Sequence, residues 1–242
     1  MTPMDLVQAA SPKIASLGAA FYFDPATLAK AKGLDLDGFR FYMLGRGGVL
    51  GDVEAPVIHS AFGYFNPGLV AKIWNSAKEK MAPRDGGRTY MACAQDYGRT
   101  NFGTIEGLDA FCDAAAAIDD AADDAGLALY AGISAEPRCD DLPGRAMQLT
   151  AVLRELRGSA HLLAVRASGL DAAVAHAIKR PDDVAMFGWA EAPTVTDDDR
   201  ARLDAAEKLT DELVLDAYGA VDEAGAAALM AGLEAMEAAV PS

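Results

Sequence analysis

The chain has 242 residues and a formal net charge of −15 at pH 7, and 51 alanines supply much of its 52% hydrophobic content. A mean hydropathy of +0.09 leaves ample apolar surface to bury, which excludes a disordered acidic chain. The acidity also excludes a broadly basic surface of the kind that polyanions attract.

Residues 5–21 read as a helix with Leu6, Ile14, Leu17 and Phe21 as its larger apolar positions, and Pro12 is either a first-turn position or a break. Asp24 is placed to cap a second helix that has Pro25 in its first turn and ends at Gly33. FRFYML at 39–44 leads into GRGG at 45–48 and Gly51, which reads as a turn or a close backbone approach rather than a helix interior. Residues 56–62 start a third helix. Phe65-Asn66-Pro67 interrupts it, and an amphipathic segment follows to Met81. Pro83 to Gly87 reads as a loop.

The pattern predicts a helix over 104–126, capped by Thr104 and stopped by Gly126, and then a long connection over 127–144. A long helix is expected from about 144 to 168, then a short one through Ile178 that Pro181 ends. After an irregular tract at 188–196, Thr196 and Asp199 form a capping box for a helix reaching Tyr218, and an alanine-rich helix occupies 222–239. The expected fold is mostly α, with two closely packed helical segments, 1–135 and 136–242.

The charge is uneven. Residues 1–100 carry +2, whereas 101–150 carry −8 and 201–242 carry −7. Solvated helix faces account for such runs. Cys93, Cys112 and Cys139 form no CxxC pair, so reduced thiols and a cytoplasmic setting are expected. The first twenty residues lack a secretory pattern, and no apolar run is long enough for a membrane span.

Three clusters carry chemistry. Arg46 within GRGG offers a guanidinium and exposed backbone N–H groups to an anion, although a structural arginine bridging two helices fits equally well. His59, Phe62, Tyr64, Phe65 and Asn66 would give a pocket aromatic walls and a directional amide, while Asn66 before Pro67 is also good capping chemistry. Arg154, Arg157 and His161 share nearly one face of the long helix, at i,i+4 and i,i+7, with only Glu155 as compensation. His161 is the candidate ligand contact or proton donor, and His176 reads as structural. The histidine spacing matches no metal motif, and neither a P-loop nor a GxSxG elbow is present. No cofactor is named by any motif.

YMLGRGGVLGDV at 42–53, SAFGYFNPGLV at 60–70 and AVLRELRGSAHLLAVRASGL at 151–170 resemble successive motifs of a SalK-like, helix-turn-helix-annotated family of actinobacterial and related bacterial proteins. The resemblance covers roughly residues 10–237. It is most specific at Leu153-Arg154-x-x-Arg157-Gly158-x-x-His161. It implies a mostly helical, winged-helix-like cytoplasmic protein of poorly established regulatory role. By that pattern Arg46, Phe65, Asn66, Pro67, Arg157, His161, Gly188 and Trp189 carry over, as a pocket or core signature rather than a DNA-reading surface. This chain departs from the family at Ser159, where an acidic residue is frequent. It departs again after Trp189, where Pro193 and the capped helix leave a reduced or missing wing. The candidate recognition helix at 197–209 is itself acidic, which suits a polyanion poorly.

The leading expectation is a small-molecule-binding helical protein, a ligand-responsive regulator that has lost DNA binding. Its candidate contacts are Arg46, His59, Tyr64, Phe65, Asn66, Arg154, Arg157 and Trp189, and a homodimer through 222–239 is expected. One alternative is an enzyme on a small organic anion, with His161 as acid/base and Arg46 and Arg157 as electrostatic clamps. The other is a DNA-binding transcriptional regulator. Metal, nucleic acid and membrane are not expected partners.

Overall fold

The computed structural model describes residues 1–240, and among these the chain forms twelve α-helices and no strand. The mostly helical fold is as expected, and no β-hairpin wing exists among the described residues.

Helix α1 (Pro3–Leu17) starts at a capping box between Thr2 and Asp5 and passes through Pro12 without ending. Pro12 is therefore an interior proline and not a break. Helix α2 (Pro25–Gly33) is capped by Asp24. Helix α3 (Gly38–Gly47) absorbs most of the GRGG segment, and a 3₁₀ turn follows over Gly48–Leu50. The expected turn is thus helix, and its glycines serve close packing: a Cβ on Gly45 would run into the Tyr90 ring.

Helix α4 (Ala55–Phe62) and helix α5 (Pro67–Lys78) are joined by Gly63 to Asn66, and Asn66 caps α5 by accepting from the Gly68 and Leu69 amides. Gly63 sits at φ +59, and a side chain there would also collide with Leu162. Helix α6 (Pro83–Asn101) replaces the expected loop, with Pro83 in its first turn and Gly86 and Gly87 buried in its first half.

Helix α7 (Leu108–Ala121) starts at Gly107 rather than Thr104, and α8 (Ala128–Ser134) fills part of the expected long connection. Helix α9 (Leu142–Ala167), capped by Asp141, runs 26 residues, and α10 (Ala172–Lys179) is capped by Asp171. Helix α11 (Asp197–Tyr218) begins at the expected Thr196–Asp199 box, and α12 (Glu223–Ala239) follows.

Packing radiates from α9, which touches α1, α6, α7, α8, α10 and α11. The main core takes residues from Leu6 to Met236, including the fully buried Trp74, Tyr130, Phe102 and Phe111. A smaller core of Ala164, Val165, Leu170, Ala175, Leu203 and Ala206 lies under the end of α9, between α10 and α11. The acidic α11, the candidate recognition helix of the sequence, is a bundle helix: Leu203, Ala206, Thr210 and Val214 bury its inner face. The small-residue face of α12 that suggested a homodimer packs against α1 and α7 within the chain. Among the described residues no helix is long and apolar enough to cross a membrane.

Candidate functional site

Where α1, α3 and the α4–α5 turn meet the middle of α9, a cavity of about 260 Å³ remains, with α10 along its far side. Two chemically different ends face each other along α9.

Glu155 centres the first end. It is 3% exposed and sits on the core side of α9. Its Oε1 accepts from Tyr22 Oη at 3.0 Å, Arg46 Nε at 3.0 Å and Arg154 Nη1 at 2.9 Å, and its Oε2 accepts from Arg46 Nη2 at 2.8 Å. Tyr22 in turn accepts from Arg154 Nη1 at 2.9 Å. Arg46 also donates to the Tyr42 hydroxyl, one helical turn back on α3, and lies 5.0 Å from the Tyr42 ring and 4.7 Å from that of Phe62. Burial alone would raise the Glu155 carboxyl. The two guanidiniums, with the hydrogen bonds of Arg46 and Tyr22, hold it down at about 2. The centre contains two cations and one carboxylate, so it keeps one net positive charge. Arg154 Nη2 makes no hydrogen bond among the described residues.

His161 centres the second end, two turns further along α9. Its Nδ1 lies 3.0 Å from Thr210 Oγ1 on α11, and Thr210 donates to the Ala206 carbonyl at 2.6 Å. Two oxygens that close need a hydrogen between them, so the threonine hydrogen is committed to Ala206. Thr210 Oγ1 must then accept from His161 Nδ1–H, which leaves Nε2 with its lone pair. Burial lowers the imidazole to about 4 despite the opposing pull of Glu207, whose Oε1 is 3.7 Å from Nε2. The ring is neutral at pH 7. Arg157 donates to Glu207 at 3.1 Å and Asp211 at 3.0 Å, and Lys179 also pairs with Glu207.

Aromatic rings wall the space between these ends. Tyr64 lies face to face with His161 at 6.4 Å, and Phe187 stacks on Phe65 at 4.0 Å and meets His176 at 3.7 Å. Ser11 Oγ, the Tyr64 hydroxyl, Arg157 Nε, Ser159 Oγ and both His176 nitrogens are buried with no hydrogen-bond partner. All belong to residues lining this cavity. The other buried unpartnered atom among the described residues is Glu136 Oε1, which has Arg84 Nη2 at 2.6 Å. Unsatisfied polarity is therefore concentrated at one place, where its desolvation cost of about 1–3 kcal/mol per group needs an explanation.

Of the residues singled out from sequence, Arg46, Tyr64, Phe65, Arg154, Arg157 and His161 come together around the cavity, and His59, Asn66 and Trp189 do not line it. Asn66 is a cap, and its backbone N–H donates to the Phe187 carbonyl at 2.8 Å. Trp189 Nε1 donates to the Tyr64 carbonyl at 3.0 Å, so Asn66 and Trp189 strap the 187–189 segment onto the α4–α5 turn. Glu155, Tyr42, Thr210 and Lys179 were missed. Tyr42 was legible as the i−4 neighbour of Arg46 once 39–47 is read as helix. Thr210 and Lys179 have no local signal, because α10 and α11 bring them in from elsewhere in the chain. No group of three His, Cys, Asp or Glu side chains among the described residues is arranged to hold a metal ion.

No curated protein and no solved structure matches the chain. The model of a helix-turn-helix family matches residues 7–187, a range that runs from within α1 past α10 and ends before the acidic α11. A match over that much of the sequence places the chain in this helix-turn-helix family.

Proposed function

We propose that this protein binds a small organic anion in the α9 cavity and has lost DNA binding. One observation carries the reading. In a chain of net charge −15, the cavity lining holds Arg46 and Arg154 on the single carboxylate Glu155, a centre with one net positive charge and an Arg154 Nη2 without an acceptor. Arg157, Lys179 and Arg180 also line it, paired with Glu207, Asp211 and Asp183. Aromatic walls, a volume at the small end of ligand pockets and a cluster of unpartnered polar atoms support the same reading. The three free thiols suit a cytoplasmic setting.

Loss of DNA binding is supported by the state of the surface cations. On α5 and α6, Lys78 pairs with Asp52, Arg84 with Glu136, Arg88 with Asp85 and Arg99 with Asp96 and Asp141, and Lys80, between the two helices, pairs with Asp35; the exposed Lys72 of α5 is in no ion pair among the described residues. With so many carboxylates beside them, these cations give the face little net positive charge to offer to phosphates. The family assignment supports the second reading, a DNA-binding regulator.

Calorimetry with benzoate, phenylacetate and 3-phenylpropanoate against their amides tests the first reading. At least one acid is expected to bind, with its amide about tenfold weaker or more, and Arg154→Gln is expected to erase that preference. Equal binding of acids and amides, or no binding by any, overturns it. With duplex DNA at low ionic strength no shift is expected; a shift that strengthens as salt falls establishes the second reading instead.

A further inference from the structure

The geometry points to a ligand of fixed polarity: an anionic group held at Arg154 and Arg46, and a hydrogen-bond donor, such as a phenolic or alcoholic hydroxyl, given to His161 Nε2 at the other end. This rests on the anion-binding reading and adds the second recognition element. At the Glu155 end only donors remain. Glu155 accepts four hydrogen bonds, Tyr42 already accepts from Arg46, and Arg154 Nη2 has no acceptor. At the His161 end the one free ring atom is an acceptor, because the Thr210–Ala206 hydrogen bond fixes the proton on Nδ1. His161 lines the cavity, and its ring is desolvated enough to stay neutral at pH 7. Around it Arg157 and Lys179 pair with Glu207 and Asp211, and none of these groups hydrogen-bonds to Nε2. Glu207 Oε1, 3.7 Å away, is a second acceptor for an incoming donor, and the unpartnered Tyr64 hydroxyl, Ser159 Oγ and Arg157 Nε lie in the same lining.

Spacing supports a single ligand spanning both ends. Arg154 and His161 are seven residues apart on one helix, about 10.5 Å of rise along its backbone, a span comparable to a one-ring acid with a short side chain and a distal hydroxyl. A des-hydroxy acid would leave Nε2 desolvated without a donor. A methoxy acid would bring a second acceptor against it, which is worse.

The test compares 3-(4-hydroxyphenyl)propanoate, 3-phenylpropanoate and 3-(4-methoxyphenyl)propanoate by calorimetry at pH 7, on the wild type, His161→Phe and Thr210→Val. The expected order is hydroxyl tightest by about tenfold or more, then unsubstituted, then methoxy, with the hydroxyl advantage lost in His161→Phe. Thr210 acts through His161 as a positioning residue. Imidazole nitrogen NMR should show Nε2 unprotonated in the wild type, and Thr210→Val should shift the tautomer balance toward Nε2–H and shrink the advantage. Equal binding of the three acids, or a methoxy preference, overturns this inference and leaves the anion reading standing. Failure of every acid overturns both. A protonated Nε2 in the wild-type spectrum overturns the acceptor assignment whatever the affinities.

Discussion

The two ends of the cavity solve opposite problems with similar residue types. At the Glu155 end, two arginines, a carboxylate and two tyrosine hydroxyls form a network with the carboxylate fully used, set in the main core. At the His161 end, a tyrosine, a second histidine, a serine and an arginine Nε are buried without partners beside the smaller core. A satisfied buried network fixes one geometry, whereas an unsatisfied one stores a desolvation cost that an incoming ligand can relieve. The first end holds the fold and keeps one guanidinium nitrogen, Arg154 Nη2, for an incoming anion, and the second is left open to be completed.

Breaking the first end should have the largest effect. Glu155→Gln leaves Arg46 and Arg154 as uncompensated neighbouring cations in the interior. Removing one partner of such a buried centre costs about 3–5 kcal/mol. Urea unfolding at pH 7 measures it, and a loss below about 1 kcal/mol would mean that water already reaches both arginines.

Acid separates the two ends next, because their windows differ. Glu155 is depressed to about 2 from an ordinary value of 4.5, so its contribution is whole above pH 4.5 and fades as pH falls toward 2. His161 is depressed to about 4 from 6.5. The unfolded chain therefore takes up its proton first, and the fold loses up to about 3 kcal/mol as pH falls from 6.5 to 4. His176, lowered by burial, acts in the same direction. Unfolding midpoints at pH 7, 5.5 and 4.5 should fall in the wild type and fall less in His161→Gln, while both lose stability below pH 4. Parallel curves would remove His161 from the upper window.

How much of this was legible follows from the range over which each contact acts. Caps at Asp24, Asn66 and Thr196 and the long helix through 144–168 are local, and the sequence carries local signals, although the Asp141 cap of that helix was read as part of a connection. The i,i+4 and i,i+7 spacing of Arg154, Arg157 and His161 correctly put all three against one space. The glycines of α3 and α6 lie in helix where a turn and a loop were expected, but the alternative reading of GRGG as a close approach holds: a Cβ on Gly48 would run into the Pro83 carbonyl, and Gly45 admits Tyr90. Glu155 was passed over as charge compensation on a helix surface. Its true role needs Arg46, more than a hundred residues away, to turn a buried carboxylate from a cost into a hub. His59 was drawn in by the residue types near it and Trp189 by the family resemblance, and neither lines the cavity.

The smallest effect is the most direct comparison, since it makes one chemical change at both ends. Tyr42→Phe removes the hydroxyl that accepts from Arg46, a hydrogen bond to a charged group, and should cost about 2 kcal/mol. Tyr64→Phe removes a hydroxyl that is buried and has no partner, so no hydrogen bond is lost and a desolvation cost disappears. Its stability should be unchanged or higher by about 1 kcal/mol. Both rings keep their stacking neighbours, so packing differences largely cancel between the two variants. Urea midpoints for the pair should move in opposite directions or differ by about 2 kcal/mol. Equal losses would mean that the Tyr64 hydroxyl is satisfied in solution, and the asymmetry between the two ends would lose its energetic basis.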